Sequence, residues 1–88
     1  MKIPKKVKIG AHTYTIDLVP SKIIEDECGS ISYPDQEITI NKDLSQTMQE
    51  ATLLHEAIHA MNTTIDHELM DSLAEQIYSF LKENNLLR

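Results

Sequence analysis

The chain has 88 residues, 41% of them hydrophobic, and no Trp, which is enough for one small domain over residues 1–88 with a core of aliphatic side chains. The net charge of −6 argues against a broad nucleic-acid interface, and no apolar run approaches the length of a membrane span. The single cysteine, Cys28, excludes an intrachain disulfide and fits a reducing compartment. We therefore expect a cytoplasmic protein with no nucleic-acid partner and no membrane partner.

The first half of the chain predicts two β-hairpins. Apolar residues alternate with polar ones on both sides of two turn segments, residues 10–12 and 34–36. The alternating residues are Val7, Ile9, Tyr14, Ile16, Leu18, Ile31, Tyr33, Ile38 and Ile40. Pro20 ends the first hairpin because it cannot donate to a ladder, and the acidic segment 21–27 predicts a loop. We expect the two hairpins to form a small antiparallel sheet.

The second half predicts an antiparallel pair of α-helices. Ser45 is a good N-cap for the first helix, which runs from about residue 46 to residue 62. Residues 63–65 form a brief connection, and Asp66 is a good N-cap for the second helix. That helix carries an apolar stripe that consists of Leu69, Met70, Leu73, Ala74, Ile77, Phe80 and Leu81. So short a connection makes the helices antiparallel, and the whole chain an α+β fold.

The pentapeptide His55-Glu56-Ala57-Ile58-His59 has the form H-E-x-x-H and lies inside the first helix. Two histidines four residues apart stack on one helix face, so both imidazoles can bind one Zn²⁺ at about 2.0–2.1 Å. Glu56 can then act as the general base that takes a proton from a zinc-bound water. The alternative, two histidines on a solvated helix face, is weaker because the flanking residues form an amphipathic helix.

A catalytic zinc site usually has three protein ligands and one open position, so the second helix has to supply one more. At about 1.5 Å per residue, Asp71 lies as deep from the connection as His59. Glu75 lies level with His55, and Glu68 lies closer to the turn. We therefore expect Asp71 to be the third ligand and Glu75 to accept the outer ring N–H of His55. The alternative for both acids is an ordinary solvated stripe.

The sequence TLLHEAIHA at residues 52–60, followed by Asp71-Ser72-Leu73-Ala74, resembles the gluzincin metallopeptidases. It resembles more narrowly the ImmA/IrrE-like metallopeptidases and their very small phage-encoded relatives. These families have a β-hairpin or small sheet before the H-E-x-x-H helix, and then a helix with an acid-x-x-Ala pattern. The resemblance implies a minimal zincin-like domain with zinc metalloendopeptidase (hydrolase) activity on a peptide or protein. The family's third ligand is usually Glu, so Glu68 and Glu75 remain alternatives to Asp71.

Other residues can support such a site, although each has a simpler interpretation. Tyr33 and Tyr78 can donate to a tetrahedral intermediate, but such tyrosines more often lie at the edge of a core. Cys28 can cap a latent zinc, but more often such a cysteine fills apolar space. His67 can approach the metal, but a histidine in the first turn of a helix more often faces solvent. The segment 36–40, if it is an edge strand beside the H-E-x-x-H helix, can pair with an extended substrate.

The competing hypothesis is a non-catalytic zinc-binding scaffold or interaction module that retains a zincin-like fold. The small size of the chain favours this hypothesis, because 88 residues leave little wall for a substrate cleft. Glu56 argues against it, because a purely structural zinc site does not need that carboxylate. The residues therefore favour the peptidase.

Overall fold

The computed structural model describes residues 3–61 and 67–84. Over these residues the chain is α+β, as predicted, with a four-stranded sheet followed by two helices. The elements are β1 (Lys6–Ile9), β2 (His12–Val19), a 3₁₀ helix (Ser21–Ile24), β3 (Gly29–Ser32), β4 (Glu37–Asn41), α1 (Gln46–Met61) and α2 (His67–Glu83). The expected connection at residues 63–65 and the expected N-cap Asp66 lie outside the described residues.

Both predicted hairpins are confirmed. β1 pairs antiparallel with β2, with Val7 opposite Tyr14, and β3 pairs antiparallel with β4, with Ile31 opposite Ile38. In the first turn Gly10 has a φ of 62°, a left-handed conformation that glycine adopts without steric cost. The alternation of apolar residues therefore predicted both hairpins. Two residues were assigned to the wrong element, since Tyr33 lies in the second turn and His12 begins β2.

The sheet is mixed, which corrects the prediction of a purely antiparallel sheet. The strand order is β1-β2-β4-β3, and β2 runs parallel to β4, with Ile16 opposite Ile38 and Leu18 opposite Ile40. Alternation specifies which face of a strand is buried, but it does not specify which strands are neighbours. β4 is central because Ile38 and Ile40 are fully buried. β3 offers only one large apolar side chain, Ile31, and forms an edge.

α1 packs on the sheet with one apolar face and on α2 with another. The cluster on the sheet side consists of Ile9, Tyr14, Ile38, Ile40 and Leu53, with Ala57 and Ala60 packed against it. The cluster on the other side consists of Ile58, Met70 and Ala74, with Leu54 and Ile77 packed against it. α1 is therefore the middle layer, and the H-E-x-x-H residues belong to a helix that packs on both the sheet and α2.

The start of α1 has the predicted cap. The Ser45 hydroxyl accepts a hydrogen bond from the backbone N–H of Met48 at 3.2 Å. This bond satisfies one of the backbone donors that have no partner within the first turn of a helix.

The direction of α2 along α1 follows from three side-chain contacts between the helices. These pairs are Thr47–Lys82, Glu50–Tyr78 and His55–Asp71. Residue numbers rise along α1 as they fall along α2, so the helices are antiparallel, as predicted.

The apolar stripe of α2 is only partly buried, although the periodicity predicts one broad buried face. Met70 and Ala74 are buried, whereas Leu69, Leu73 and Phe80 are exposed. The described contacts of α2 are chiefly with α1. A single neighbouring helix buries a narrower strip of the α2 surface than a core formed by several elements would bury. In the described part of the chain, neither helix combines the length and the apolar character needed to cross a bilayer.

Candidate metal and catalytic site

His55 and His59 converge on one face of α1. Their Nε2 atoms lie 3.0 Å apart, and their ring centroids lie 4.7 Å apart. Two nitrogens that each lie about 2.0–2.1 Å from one tetrahedral zinc would be about 3.3 Å apart. The two imidazoles therefore fit a shared zinc ion after only a small adjustment of the rings.

The carboxylate of Asp71 contacts the outer nitrogen of His55. Asp71 Oδ1 lies 3.1 Å from His55 Nδ1. A neutral His55 that donates its Nδ1 proton to this carboxylate has its lone pair on Nε2, the nitrogen that faces His59. Asp71 thus favours the ring orientation and the tautomer that a metal ligand requires.

The register of α2 differs from the depth estimate by about one helical turn. The rise per residue predicts Asp71 level with His59 and Glu75 level with His55. In the structure Asp71 lies beside His55 and makes the contact that the estimate assigns to Glu75. The estimate counted residues from the connection, whereas the buried contacts along the helices set the actual register. The identity of the third ligand stays a prediction, with Asp71 first and Glu75 and Glu68 as alternatives.

Four of the five predicted site residues line one cavity of about 490 Å³. They are His55, Glu56, Asp71 and Glu75, and the fifth, His59, is the neighbour of His55 on α1. Across the cavity, the wall is formed by the segment that leads into β3 and by the start of that strand. The cavity is thus lined by one imidazole and several carboxylates, which are suitable ligand types for a zinc cation.

Glu56 lies at the cavity wall but is only 6% exposed. The close approach of β3 to α1 at Gly29 explains this position. A β-carbon at position 29 would lie 2.7 Å from both the Thr39 carbonyl oxygen and the Thr52 methyl carbon, and 3.6 Å from Glu56 Oε2. A side chain at position 29 would therefore force β3 away from α1. Gly29 was missed in the sequence analysis, although a glycine inside a strand often marks such a close approach.

Tyr33 binds the last turn of α1. Its hydroxyl donates to the carbonyl oxygen of His59 at 3.2 Å, and carbonyl groups in the last turn of a helix have no partner within the helix. Partial burial raises the pKa of Tyr33 above its usual value, and the negative charge of Glu56 raises it further. The Tyr33 hydroxyl is therefore a protonated donor at neutral pH, close to Glu56.

The remaining candidate residues are Tyr78, Cys28 and His67. Tyr78 is buried and donates to Glu50, away from the cavity. Cys28 is exposed and lines the cavity, so it is not the buried apolar filler of the simpler interpretation. The side chain of His67 lies outside what the structure describes.

The edge strand that could pair with an extended substrate is not segment 36–40, which the sequence analysis considered for that role. β4 lies between β2 and β3, so it has no free edge. The edge strand that contacts α1 is β3. The wrong strand of the hairpin was considered as the sheet edge, because alternation does not distinguish an edge strand from a central one.

Within residues 3–61 and 67–84, no three His, Cys, Asp or Glu side chains are grouped so as to hold a metal ion. What these residues bring together is a pair of imidazole nitrogens, a carboxylate on the outer nitrogen of one ring, and Glu56 at the same cavity.

Comparisons of the chain with protein-family models, with curated proteins and with solved structures find no match. The family resemblance therefore rests on residues 52–60 and 71–74. A function for this chain has to be argued from the chemistry and geometry of its site, because a fold alone does not specify one.

Proposed function

We propose that this protein is a cytoplasmic, zinc-dependent metalloendopeptidase that hydrolyses a peptide bond in a peptide or protein substrate. The observation that carries the proposal is the convergence of the His55 and His59 Nε2 atoms, 3.0 Å apart, together with the buried Glu56, which lines the same cavity as His55. Two imidazoles alone would serve a structural zinc as well as a catalytic one. The carboxylate next to them favours catalysis, because it supplies a base where a water would be activated.

The zinc ligands are assigned from the donor atoms present. His55 and His59 would hold the metal through Nε2, and an acidic residue of α2 would complete the set. Asp71 is the first candidate, and it would have to leave its contact with His55 Nδ1 to reach a metal on the Nε2 side. Glu75 and Glu68 are the alternatives if Asp71 stays on that outer nitrogen. The chemistry that zinc supplies when bound is Lewis acidity, which polarises a carbonyl group and lowers the pKa of a water.

Glu56 moves the proton in the proposed reaction. Its carboxylate takes a proton from the attacking water as the new C–O bond forms, and it returns that proton to the amide nitrogen as the C–N bond breaks. The products are a carboxylic acid and an amine, so atoms and charges balance. The low exposure of Glu56 limits its contact with bulk water.

The edge strand β3 offers a place for the substrate backbone. It is the terminal strand of the sheet, it contacts α1, and Gly29 at its start lines the cavity. An extended peptide that pairs with this edge would gain main-chain hydrogen bonds and lie across the cavity. Methylating single amide nitrogens of a cleaved peptide should therefore slow its cleavage at alternate positions, since successive amides of a strand point to opposite sides.

The metal site is tested by elemental analysis of purified protein loaded with zinc and then desalted. We expect one zinc per chain in the parent, and loss of that zinc in His55→Ala and in His59→Ala, because each substitution removes one direct ligand. The His12→Ala variant is the matched control and should keep its zinc, since His12 lies on β2. Full zinc occupancy in either ligand variant would rule out the site.

Catalysis is tested with a peptide library prepared from a whole proteome, with new termini identified by mass spectrometry. The zinc-loaded parent should cleave a subset of the library. Glu56→Gln should keep its zinc but lose about 10²–10⁴-fold in rate, the usual contribution of a general base. A zinc-loaded parent that cleaves nothing would support the competing zinc-binding scaffold instead. Equal activity of parent and Glu56→Gln would contradict the assigned role.

A further inference from the structure

We propose that Glu50 and Tyr78 are positioning residues for the site, because their buried hydrogen bond sets the register of α2 and so holds Asp71 on the outer nitrogen of His55. The inference rests on the proposed zinc site for its consequence in metal binding. Its geometric part concerns the metal-free protein and can be tested separately.

The hydrogen bond between Glu50 and Tyr78 is a buried polar contact between the two helices. Glu50 is 3% exposed and Tyr78 is 5% exposed. The Tyr78 hydroxyl donates to Glu50 Oε1, and Gln46 Nε2 donates to Glu50 Oε2 at 2.8 Å. A buried carboxylate that loses a donor carries a large desolvation penalty. Sliding α2 by one turn along α1 is therefore opposed by this pair.

A helix transmits the position of Tyr78 to Asp71. The two residues are seven positions apart on α2, which is about two turns, so they lie on the same side of the helix. When Tyr78 is held on Glu50, Asp71 falls beside His55, at 3.1 Å. Sliding α2 by one turn would move Asp71 by about 5.4 Å along the helix axis, which breaks the contact with the ring.

The other contacts between the helices resist sliding less. The apolar contacts of Met70 and Ala74 with Ile58 bury surface, and burial of apolar surface is non-directional. The hydrogen bond from Lys82 to Thr47 is 3.3 Å long and exposed, so water can replace it at little cost. Compared with these two kinds of contact, the hydrogen bond between Glu50 and Tyr78 is both directional and shielded from water.

The first measurement is the tautomer of His55 in metal-free protein, read from its ring ¹⁵N chemical shifts by NMR. In the parent we expect the Nδ1–H form, which donates to Asp71. Tyr78→Phe removes the donor and should convert His55 to a mixture of tautomers. Thr47→Ala, which removes the exposed bond at the same helix interface, should leave the tautomer unchanged. An unchanged tautomer in folded Tyr78→Phe would overturn the proposal.

The second measurement is zinc affinity by competition with a chelator. Tyr78→Phe should weaken binding by about 10–100-fold, the usual loss when the outer partner of a histidine ligand is removed. In an Asp71→Ala background the same substitution should cost nothing further, because its effect passes through Asp71. Additive losses in the double variant would show that Tyr78 acts by another route and would contradict the proposal.

Two further variants keep the test decisive. Glu50→Gln retains an acceptor for the Tyr78 hydroxyl and should preserve both the tautomer and the affinity. If Tyr78→Phe does not fold, the Glu50→Gln/Tyr78→Phe double variant removes the buried charge that has lost one of its donors, and it should still lose the Nδ1–H tautomer. A parent that binds no zinc would refute the proposed function, whereas the tautomer comparison would still decide the positioning role.

Discussion

Gly29 shows how much the site depends on one residue that has no chemistry of its own. The space that a side chain would need is already filled by the carbonyl oxygen of Thr39 and the methyl group of Thr52. The carbonyl belongs to the backbone of the neighbouring strand, so it cannot rotate away. The distance between α1 and β3, and with it the position of Glu56, is therefore set by the absence of a β-carbon.

We predict that Gly29→Ala destabilises the protein by about 1–3 kcal/mol, the usual cost of overpacking a filled interior. The measurement is urea unfolding followed by circular dichroism. Ser30→Ala is the matched control, because Ser30 is exposed on the same strand and should change the free energy of unfolding little. Equal stability of the two variants would show that α1 and β3 can separate at no cost.

Asp71 and Glu75 are expected to differ in how much each contributes to zinc binding. Both line the cavity, and Asp71 also contacts the His55 ring. We predict that Asp71→Ala weakens zinc binding more than Glu75→Ala does, by about 10–100-fold if Asp71 acts only through His55. Asp71→Asn, which keeps an acceptor oxygen, should lose less than Asp71→Ala.

Chelator competition on the three variants decides between these roles. A larger loss in Glu75→Ala than in Asp71→Ala would exchange the assignments, with Glu75 as the more direct partner of the metal. Glu68→Ala serves as the third comparison, because Glu68 was the remaining alternative and lies nearer the start of α2.

At the scale of elements, the segment between β2 and β3 is held in place by Asn41. The Asn41 amide donates to Ser21 Oγ and to the Glu27 carbonyl oxygen, both at 3.1 Å, and its oxygen accepts from the Asp43 N–H at 2.9 Å. Within the segment, Glu25 and Asp26 have φ values of 54° and 63°, which are unfavourable for residues with a β-carbon. An external anchor is needed to hold such a segment as a cavity wall.

We predict that Asn41→Ala costs about 1–3 kcal/mol of stability, because it removes three partly buried hydrogen bonds. Amide exchange of residues 21–28 should accelerate more than that of α1. Asn41→Asp keeps the acceptor for the Asp43 N–H but loses both donors, so it should loosen the same segment. Uniform acceleration over the whole chain would indicate global destabilisation rather than a local anchor.

At the scale of the whole molecule, α1 lies between the sheet and α2, and Glu50 is a carboxylate within the helix pair. Burial acts to raise the pKa of Glu50, but hydrogen bonds from Gln46 and Tyr78 lower it, and the net pKa lies below the usual value. From α2, Lys82 Nζ also lies 3.4 Å from the Tyr78 hydroxyl. The charged form of Glu50 is therefore favoured in the folded protein.

The sign of the resulting pH dependence follows from the depressed pKa. The contribution of Glu50 is fully present above its unfolded pKa, about 4.3, and is lost as the pH falls through its lower folded pKa. We predict that Glu50→Gln makes the free energy of unfolding depend less on pH below about 4.3. Urea unfolding at a series of acidic pH values measures this. Glu83→Gln, an exposed control, should retain the acid dependence of the parent.

Local features of this protein followed from the sequence because residues close along the chain decide them. Alternation predicted both hairpins, Ser45 predicted the start of α1, and the spacing of four residues predicted that His55 and His59 would meet. The periods of strand and helix, and the reach of a capping side chain, are properties of short segments. No distant residue is needed to specify them.

The tertiary structure alone decided which distant elements became neighbours. The burial of Ile38 and Ile40 placed β4 beside β2 in a mixed sheet. The contact of Glu50 with Tyr78 accompanies an α2 register that brings Asp71 to His55 rather than to His59. These outcomes depend on the shapes and polar groups of side chains far apart in the chain, and hydrophobic periodicity carries no information about such pairings.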